Sequence, residues 1–164
     1  MMKNSRLRTL TATGIIAAFL CVIAPIAIPI GEVPLSLATL VILVSAAILG
    51  PWRSAFAVIV YLILGSMGLL VFSGFSGGVG ILLGPTGGFL IGYIALAVIS
   101  GLGRGKVIPM IAGTLVLYVI GMVWYMIFAD VPLWSAVTVC VLPCIPVDVV
   151  KIAVAKLAGQ RIRK

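Results

Sequence analysis

Residues 108–128 read IPMIAGTLVLYVIGMVWYMIF, and not one of them carries a charge. A run of about 20 apolar residues is what an α-helix needs to cross a hydrocarbon core ~30 Å thick. The rest of the chain follows suit. Hydrophobic residues make up 63% of the 164 and charged residues 9%, and the mean hydropathy is +1.39. Soluble domains are nearer half apolar and a quarter charged. Nothing alternates with the period of two that membrane barrel strands require. Composition and block length therefore specify an all-α, polytopic membrane protein.

Six apolar blocks are expected to span: Leu7–Ile28, Leu35–Leu49, Ser54–Phe72, Gly80–Leu102, Ile108–Phe128 and Trp134–Leu157. The second is short enough to be tilted, kinked or only partly spanning. The separators PIGEVP, GPWR, SGFSGG, GRGK and ADVP are rich in Gly, Pro or charge, as turns are. They leave no room for a soluble domain, so residues 1–164 are read as one transmembrane domain. No internal repeat suggests the inverted-repeat plan of many secondary transporters. The first block is too long for a cleavable signal and lacks a small-residue cleavage site.

Placement of charge gives the orientation. Lys3, Arg6, Arg8, Arg53, Arg104, Lys106, Lys156, Arg161, Arg163 and Lys164 all fall on one side of a six-span arrangement, and Glu32 and Asp130 on the other. The positive-inside rule then makes both termini cytoplasmic and the protein a multi-pass component of the cytoplasmic membrane. The same placement, in turns and at chain ends, argues against nucleic acid as the partner of this +8 chain. Lys151 is the one basic residue that orientation does not explain.

Lys151 lies three residues after Asp148 in LPCIPVDVVKIAVAKLAG, residues 142–159. At i and i+3 the two share a helix face. A charge at mid-helix depth costs about 2.5–3.5 kcal/mol or more, so the pair should face the bundle interior or a wet cavity. One reading is an internal salt bridge that fixes helix packing; the other is a ligand site. Pro143 and Pro146 precede the pair and each removes a backbone donor. Freed carbonyls at membrane depth need protein or cavity water, so a broken sixth helix ahead of Asp148 is expected. In a ligand site the lysine suits a carboxylate, while the acid could orient that lysine or accept from ligand N–H groups.

Two further stretches stand out. In GGVGILLGPTGGFLIGY, residues 77–93, Gly80, Gly84, Gly88 and Gly92 recur every fourth residue, preceded in register by Ser76. On a continuous helix they would form a groove for a neighbouring helix. The core Gly84-Pro85-Thr86-Gly87-Gly88 is a poor helix former, so an unwound segment lining a pocket is the competing reading. No Lys-Ser/Thr follows, which excludes a Walker-type phosphate loop. In the first span, Gly14, Ala17, Ala18 and Cys21 give small-xxx-small spacings that suit helix docking, within the chain or to a partner.

Catalytic and metal chemistry find little support. The chain has no histidine, the usual neutral-pH base. Cys140 and Cys144 stand one turn apart, but a zinc site normally takes four nitrogen or sulfur ligands; with Cys21 they read as small buried hydrophobes. A membrane-embedded lipid-modifying transferase would need a base or nucleophile constellation, and none is present beyond the Asp–Lys pair. No cofactor, metal or enzymatic activity is expected.

The order VPLSLATL, ILGPWRSAFAVIVYLILGSMGL, GGVGILLGPTGGFLIGY, VLPCIPVDVVKIAVA, from about Val33 to Ala155, resembles the BioY family, the biotin-binding S components of energy-coupling factor (ECF) transporters. The resemblance implies a six-helix protein that takes up biotin from the extracellular side. It implies that Asp148 and Lys151 bind near the biotin carboxylate, and that Gly84, Pro85, Thr86, Gly87 and Gly88 shape the pocket. It implies docking of the first helix, here Gly14, Ala17 and Ala18, on a transmembrane T component, with cytoplasmic ATPase subunits supplying the energy. S components for thiamin, riboflavin or queuosine share the architecture without this pair of motifs. One position departs from the family: Ala38 stands where many members carry glutamine, and Thr39, Ser36 and Ser76 are the hydroxyls at hand to replace it.

Overall fold

The computed structural model describes residues 2–28, 34–103 and 105–162 and, within them, all side chains but those of residues 2–6, 8, 9 and 162. Glycines and prolines cut the apolar blocks into eight helices among these residues. They are α1 (Met2–Ile23), α2 (Ala38–Leu49), α3 (Pro51–Ser66), α4 (Val79–Leu82), α5 (Gly87–Leu102), α6 (Val107–Ala129), α7 (Leu133–Cys140) and α8 (Cys144–Ile162). Between α1 and α2, β1 (Ala27–Ile28) pairs antiparallel with β2 (Leu35–Ser36). The turn between α2 and α3 uses Gly50 at φ +82°, a conformation open to glycine, followed by Pro51 at the first position of α3, where its missing N–H costs nothing.

Four of the expected blocks correspond to α1, α2, α3 and α6. The other two are broken. The fourth splits at residues 83–86 into α4 and α5, and the sixth splits at 141–143 into α7 and α8, bent by 44°. Pro85 and Pro143 stand inside these breaks, each without the N–H that would continue the ladder. The break also corrects the reading of Gly80, Gly84, Gly88 and Gly92 as one stripe. Only Gly88 and Gly92 face α6; a Cβ on Gly80 would meet nothing, and one on Gly84 would meet only the α4 backbone.

The α5–α6 crossing is the most extensive in the bundle, and small residues bring the two helices close. Gly88 lies against Trp124, Gly92 against Leu117, Gly121 against Phe89, and Gly113 against Ser100. Backbones that approach this far gain van der Waals contact without needing a hydrophobic drive, the usual device inside lipid. Helix α5 also packs on α2 and α3, and α2 on α1, α3 and α8, so α2 and α5 form the centre. The Ser45 and Ser54 hydroxyls, 2.7 Å apart, tie α2 to α3. The outer surface is apolar on nearly every helix, with Trp52, Ile108 and Ile127 among the most exposed side chains.

By length and apolarity α6 meets the requirement for crossing a membrane, and the bent α7–α8 unit meets it as one span. Helix α2, with 12 residues, is about 18 Å long at 1.5 Å per residue, in keeping with its expected shortness. At one end of the bundle, Gly159 of α8 approaches Gly105 and Ala47, and Gly101 rests on Pro51. Arg53, Lys106, Lys156 and Arg161 are exposed there, and Asp130 is exposed at the far end of α6. Glu32, Arg104, Arg163 and Lys164 lie outside the described residues, as do the side chains of Lys3, Arg6 and Arg8.

Candidate functional site

Helix α8 starts at Cys144, so Pro146 falls in its first turn, where no intrahelical N–H is required. The next turn carries Asp148 and Lys151 inward, 6% and 5% exposed. Lys151 reaches the segment leading into α2. Its Nζ donates to the Ser36 carbonyl at 2.7 Å and to Thr39 Oγ1 at 2.8 Å, and stands 3.2 Å from Asp148 Oδ1. The Tyr118 hydroxyl of α6 donates to Asp148 Oδ2 at 2.5 Å. Ser36 is itself fixed, its hydroxyl donating to the Ala24 carbonyl and accepting from the Ala38 N–H. Burying an ion pair costs several kcal/mol per ion unless hydrogen bonds satisfy it. Here all three ammonium protons have an acceptor nearby. The carboxylate does less well: Oδ1 faces the lysine but carries no hydrogen bond.

This network borders a cavity of about 200 Å³. Leu35, Phe72, Ile81, Phe89, Leu90, Tyr93 and Leu117 give it apolar walls, while Asp148, Lys151, Tyr118, Ser36 and Thr39 supply a buried polar floor. Ser73, Ser76 and Thr86, all partly exposed, lie towards the opening with Pro34. The loop carrying the serines is held by paired backbone bonds between Phe72 and Ser76. Tyr61 supports it from below, donating to the Val71 carbonyl at 3.2 Å and meeting the Phe72 ring edge-on at 5.5 Å. The cavity sits at the end of the bundle away from Arg53, Lys106 and Lys156.

Among the residues singled out from sequence, Asp148, Lys151, Ser36, Thr39, Ser76 and Thr86 come together around the cavity. Gly84, Pro85, Gly87 and Gly88 do not line it; they stand behind its wall. The Trp124 indole N–H donates to the Gly84 carbonyl at 2.9 Å, which also accepts from the Gly87 N–H at 3.0 Å. A side chain on Gly87 would strike the Leu82 carbonyl, and one on Gly88 the Trp124 side chain. These glycines seat the start of α5 on α6, and Thr86 alone of the motif reaches the cavity. Ala38 is fully buried and outside the lining. On α1, Gly14 and Ala18 are exposed, whereas Ala17 is 3% exposed and turned into the bundle. None of the three cysteines is in a disulfide, and Cys144 lies in the cavity wall. No three metal-ligating residues cluster among the described residues.

Tyr118, Ser73 and Tyr93 are site residues that the sequence does not announce. The available signal was general: a phenol in an apolar helix has to find a hydrogen-bond partner, and α6 carries Tyr118 and Tyr125. The BioY family sequence model matches residues 1–164. The chain belongs to the BioY family. This BioY-family chain is 38% identical to a probable biotin transporter BioY of Pyrococcus horikoshii, covering 95% of this chain and 96% of the relative. It is 36% identical to the biotin transporter BioY of Thermotoga maritima, covering 96% and 97%. Among solved structures it resembles the crystallised S component for biotin from an ECF-type ABC transporter. The TM-score is 0.91 at 27% identity, over 99% of this chain and 94% of that one. The likeness thus extends over nearly the whole chain.

Proposed function

We propose that this BioY-family protein is the biotin-binding S component of an ECF-type ABC transporter, capturing biotin for uptake and catalysing no bond change. The observation that carries this reading is the cavity itself. An apolar slot ends on a buried, hydrogen-bonded acid–lysine pair at membrane depth, where ionisable groups mark substrate sites. Its relatives' names supply the ligand. Asp148 and Lys151 make the polar contacts at depth, Thr39, Ser76 and Thr86 add hydroxyls, and Gly84, Pro85, Gly87 and Gly88 hold the wall in place.

Residues 1–164 act as one transmembrane domain of six crossings, counting α4–α5 and α7–α8 as one each, with both termini in the cytoplasm. The exposed Arg53, Lys106, Lys156 and Arg161 at one end support that orientation, which puts the cavity near the extracellular face. Import in the plasma membrane requires a transmembrane T component and cytoplasmic ATPase subunits. The outward Gly14/Ala18 face of α1 is the docking surface for the T component, without the inward Ala17.

Calorimetric titration of the detergent-purified chain tests the reading. Wild type binds biotin and not thiamin or riboflavin. Asp148→Asn and Lys151→Ala, at unchanged helical content, each lose about 2–5 kcal/mol, roughly 30- to 4,000-fold in affinity. Unchanged affinity in both variants removes the pair from the site, and absence of biotin binding by wild type overturns the function.

A further inference from the structure

We infer that the basic end of the bundle is a site for anionic phospholipid, with headgroup phosphates held among Arg53, Lys106 and Lys156. This goes beyond the biotin reading and takes from it only the leaflet, which the proposed orientation makes the cytoplasmic one. The first observation is convergence. The α5–α6 turn, the end of α8 and the end of α2 meet there: a Cβ on Gly159 would stand 3.0 Å from Ala47 and 3.6 Å from Gly105. The α2–α3 corner closes on the same end, with Pro51 against Gly101. Cations flank these contacts in the chain. Arg53 follows Pro51 by two residues, Lys106 follows Gly105, and Lys156 and Arg161 bracket Gly159, all four exposed.

The second observation is charge. Among the described residues no acid offsets these cations, since Asp130 is exposed at the far end of α6 and Asp148 is buried with Lys151. Like charges gathered on one end repel one another, and only an anion from outside the chain relieves them. The third observation names that anion. Each of the three elements pairs its cation with a strongly exposed apolar side chain: Trp52 (79%) beside Arg53, Ile108 (80%) near Lys106 and Leu157 (63%) beside Lys156. Cations next to lipid-facing side chains stand at headgroup level, where an indole is also favoured and long basic side chains lay their stems along apolar surface. A nucleic acid or an acidic soluble protein answers the charge alone. A phospholipid answers both neighbours, with a phosphate for the cation and an acyl chain for the apolar side chain.

Quenching of tryptophan by brominated lipid tests the site, because exposed indoles mark both ends of the molecule, Trp52 beside Arg53 and Trp134 close to Asp130. The chain is reconstituted in symmetric phosphatidylcholine vesicles holding a small share of dibrominated phosphatidylglycerol or, in parallel, dibrominated phosphatidylcholine. Symmetry keeps the result independent of orientation. The part owed to each indole is the difference from Trp52→Phe or Trp134→Phe. Brominated phosphatidylglycerol should quench Trp52 more than brominated phosphatidylcholine does, with no such preference at Trp134. Arg53→Gln/Lys106→Gln/Lys156→Gln should weaken that preference on the order of 100-fold, about fivefold per cation. Its biotin affinity, set at the opposite end, should match wild type and shows that it folds. If the triple variant does not fold, Lys106→Gln and Lys156→Gln singly should each cost about fivefold. An equal preference at both indoles, or one that survives the substitutions, overturns the site. So does an equal loss in Lys3→Gln/Arg6→Gln/Arg8→Gln, which would show diffuse charge only. Displacement by glycerol 3-phosphate would make this a free-phosphate site and overturns the lipid; no preference at all leaves the cations to orientation or an acidic protein and overturns it too. If wild type keeps the Trp52 preference but does not bind biotin, the function reading falls alone.

Discussion

Tyr118 supports the buried pair from outside its own helix. Its hydroxyl is the hydrogen-bond donor to Asp148 Oδ2, while Oδ1 has only the lysine's charge. Tyr118→Phe keeps the ring that walls the cavity and strips the donor. The expected cost is about 1.5–3 kcal/mol of stability, the usual price of leaving a charged group short of one hydrogen bond, read by thermal unfolding in detergent. Biotin affinity should fall with it, since a mispositioned carboxylate meets the ligand badly. At this scale the sequence was legible where chemistry was rare. Asp148 and Lys151 stand out because an acid and a lysine have no business in an apolar helix. Ser36 was named for its hydroxyl, but its part as the lysine's acceptor could not be read, because that is a backbone carbonyl and every residue has one. Tyr118 could not be read either, since its partner lies thirty positions away on another helix.

At the scale of elements, proline and glycine set the architecture. The breaks at 83–86 and 141–143 lie where Pro85 and Pro143 remove donors, and both were visible in the sequence as poor helix formers. Less visible was what the glycines between Gly80 and Gly92 each do, because a four-residue period implies one stripe only while the helix continues. Paired substitutions separate the roles. Gly88→Ala forces a methyl against Trp124 and the Ile120 carbonyl and should cost about 1–3 kcal/mol, as overpacked sites do. Gly80→Ala meets nothing and should stay within about 0.5 kcal/mol of wild type. Equal unfolding temperatures for the two would mean that the α5–α6 crossing is looser than described.

For the whole molecule, orientation and partnership are open to direct measurement. With the three native thiols buried or half-buried, a new surface cysteine can be labelled selectively. In intact cells an impermeant maleimide should label Asp130→Cys and spare Lys106→Cys until the membrane is opened; the reverse pattern inverts the proposed topology. Gly14→Leu with Ala18→Leu should leave biotin affinity of the isolated chain unchanged, because neither residue reaches the cavity, yet abolish co-purification with a T component. Loss of biotin binding in that variant would mean that the α1 face supports the fold instead.

Trp124 turns the helix break into an optical gauge. Its half-buried indole holds the Gly84 carbonyl at 2.9 Å, two residues before the cavity-lining Thr86, whereas Trp52 and Trp134 are exposed at 79% and 76%. A ligand that shifts the wall disturbs one emitter of three. Unlabelled protein should therefore change its fluorescence on binding, and Trp52→Phe/Trp134→Phe should keep that change while Trp124→Phe loses it.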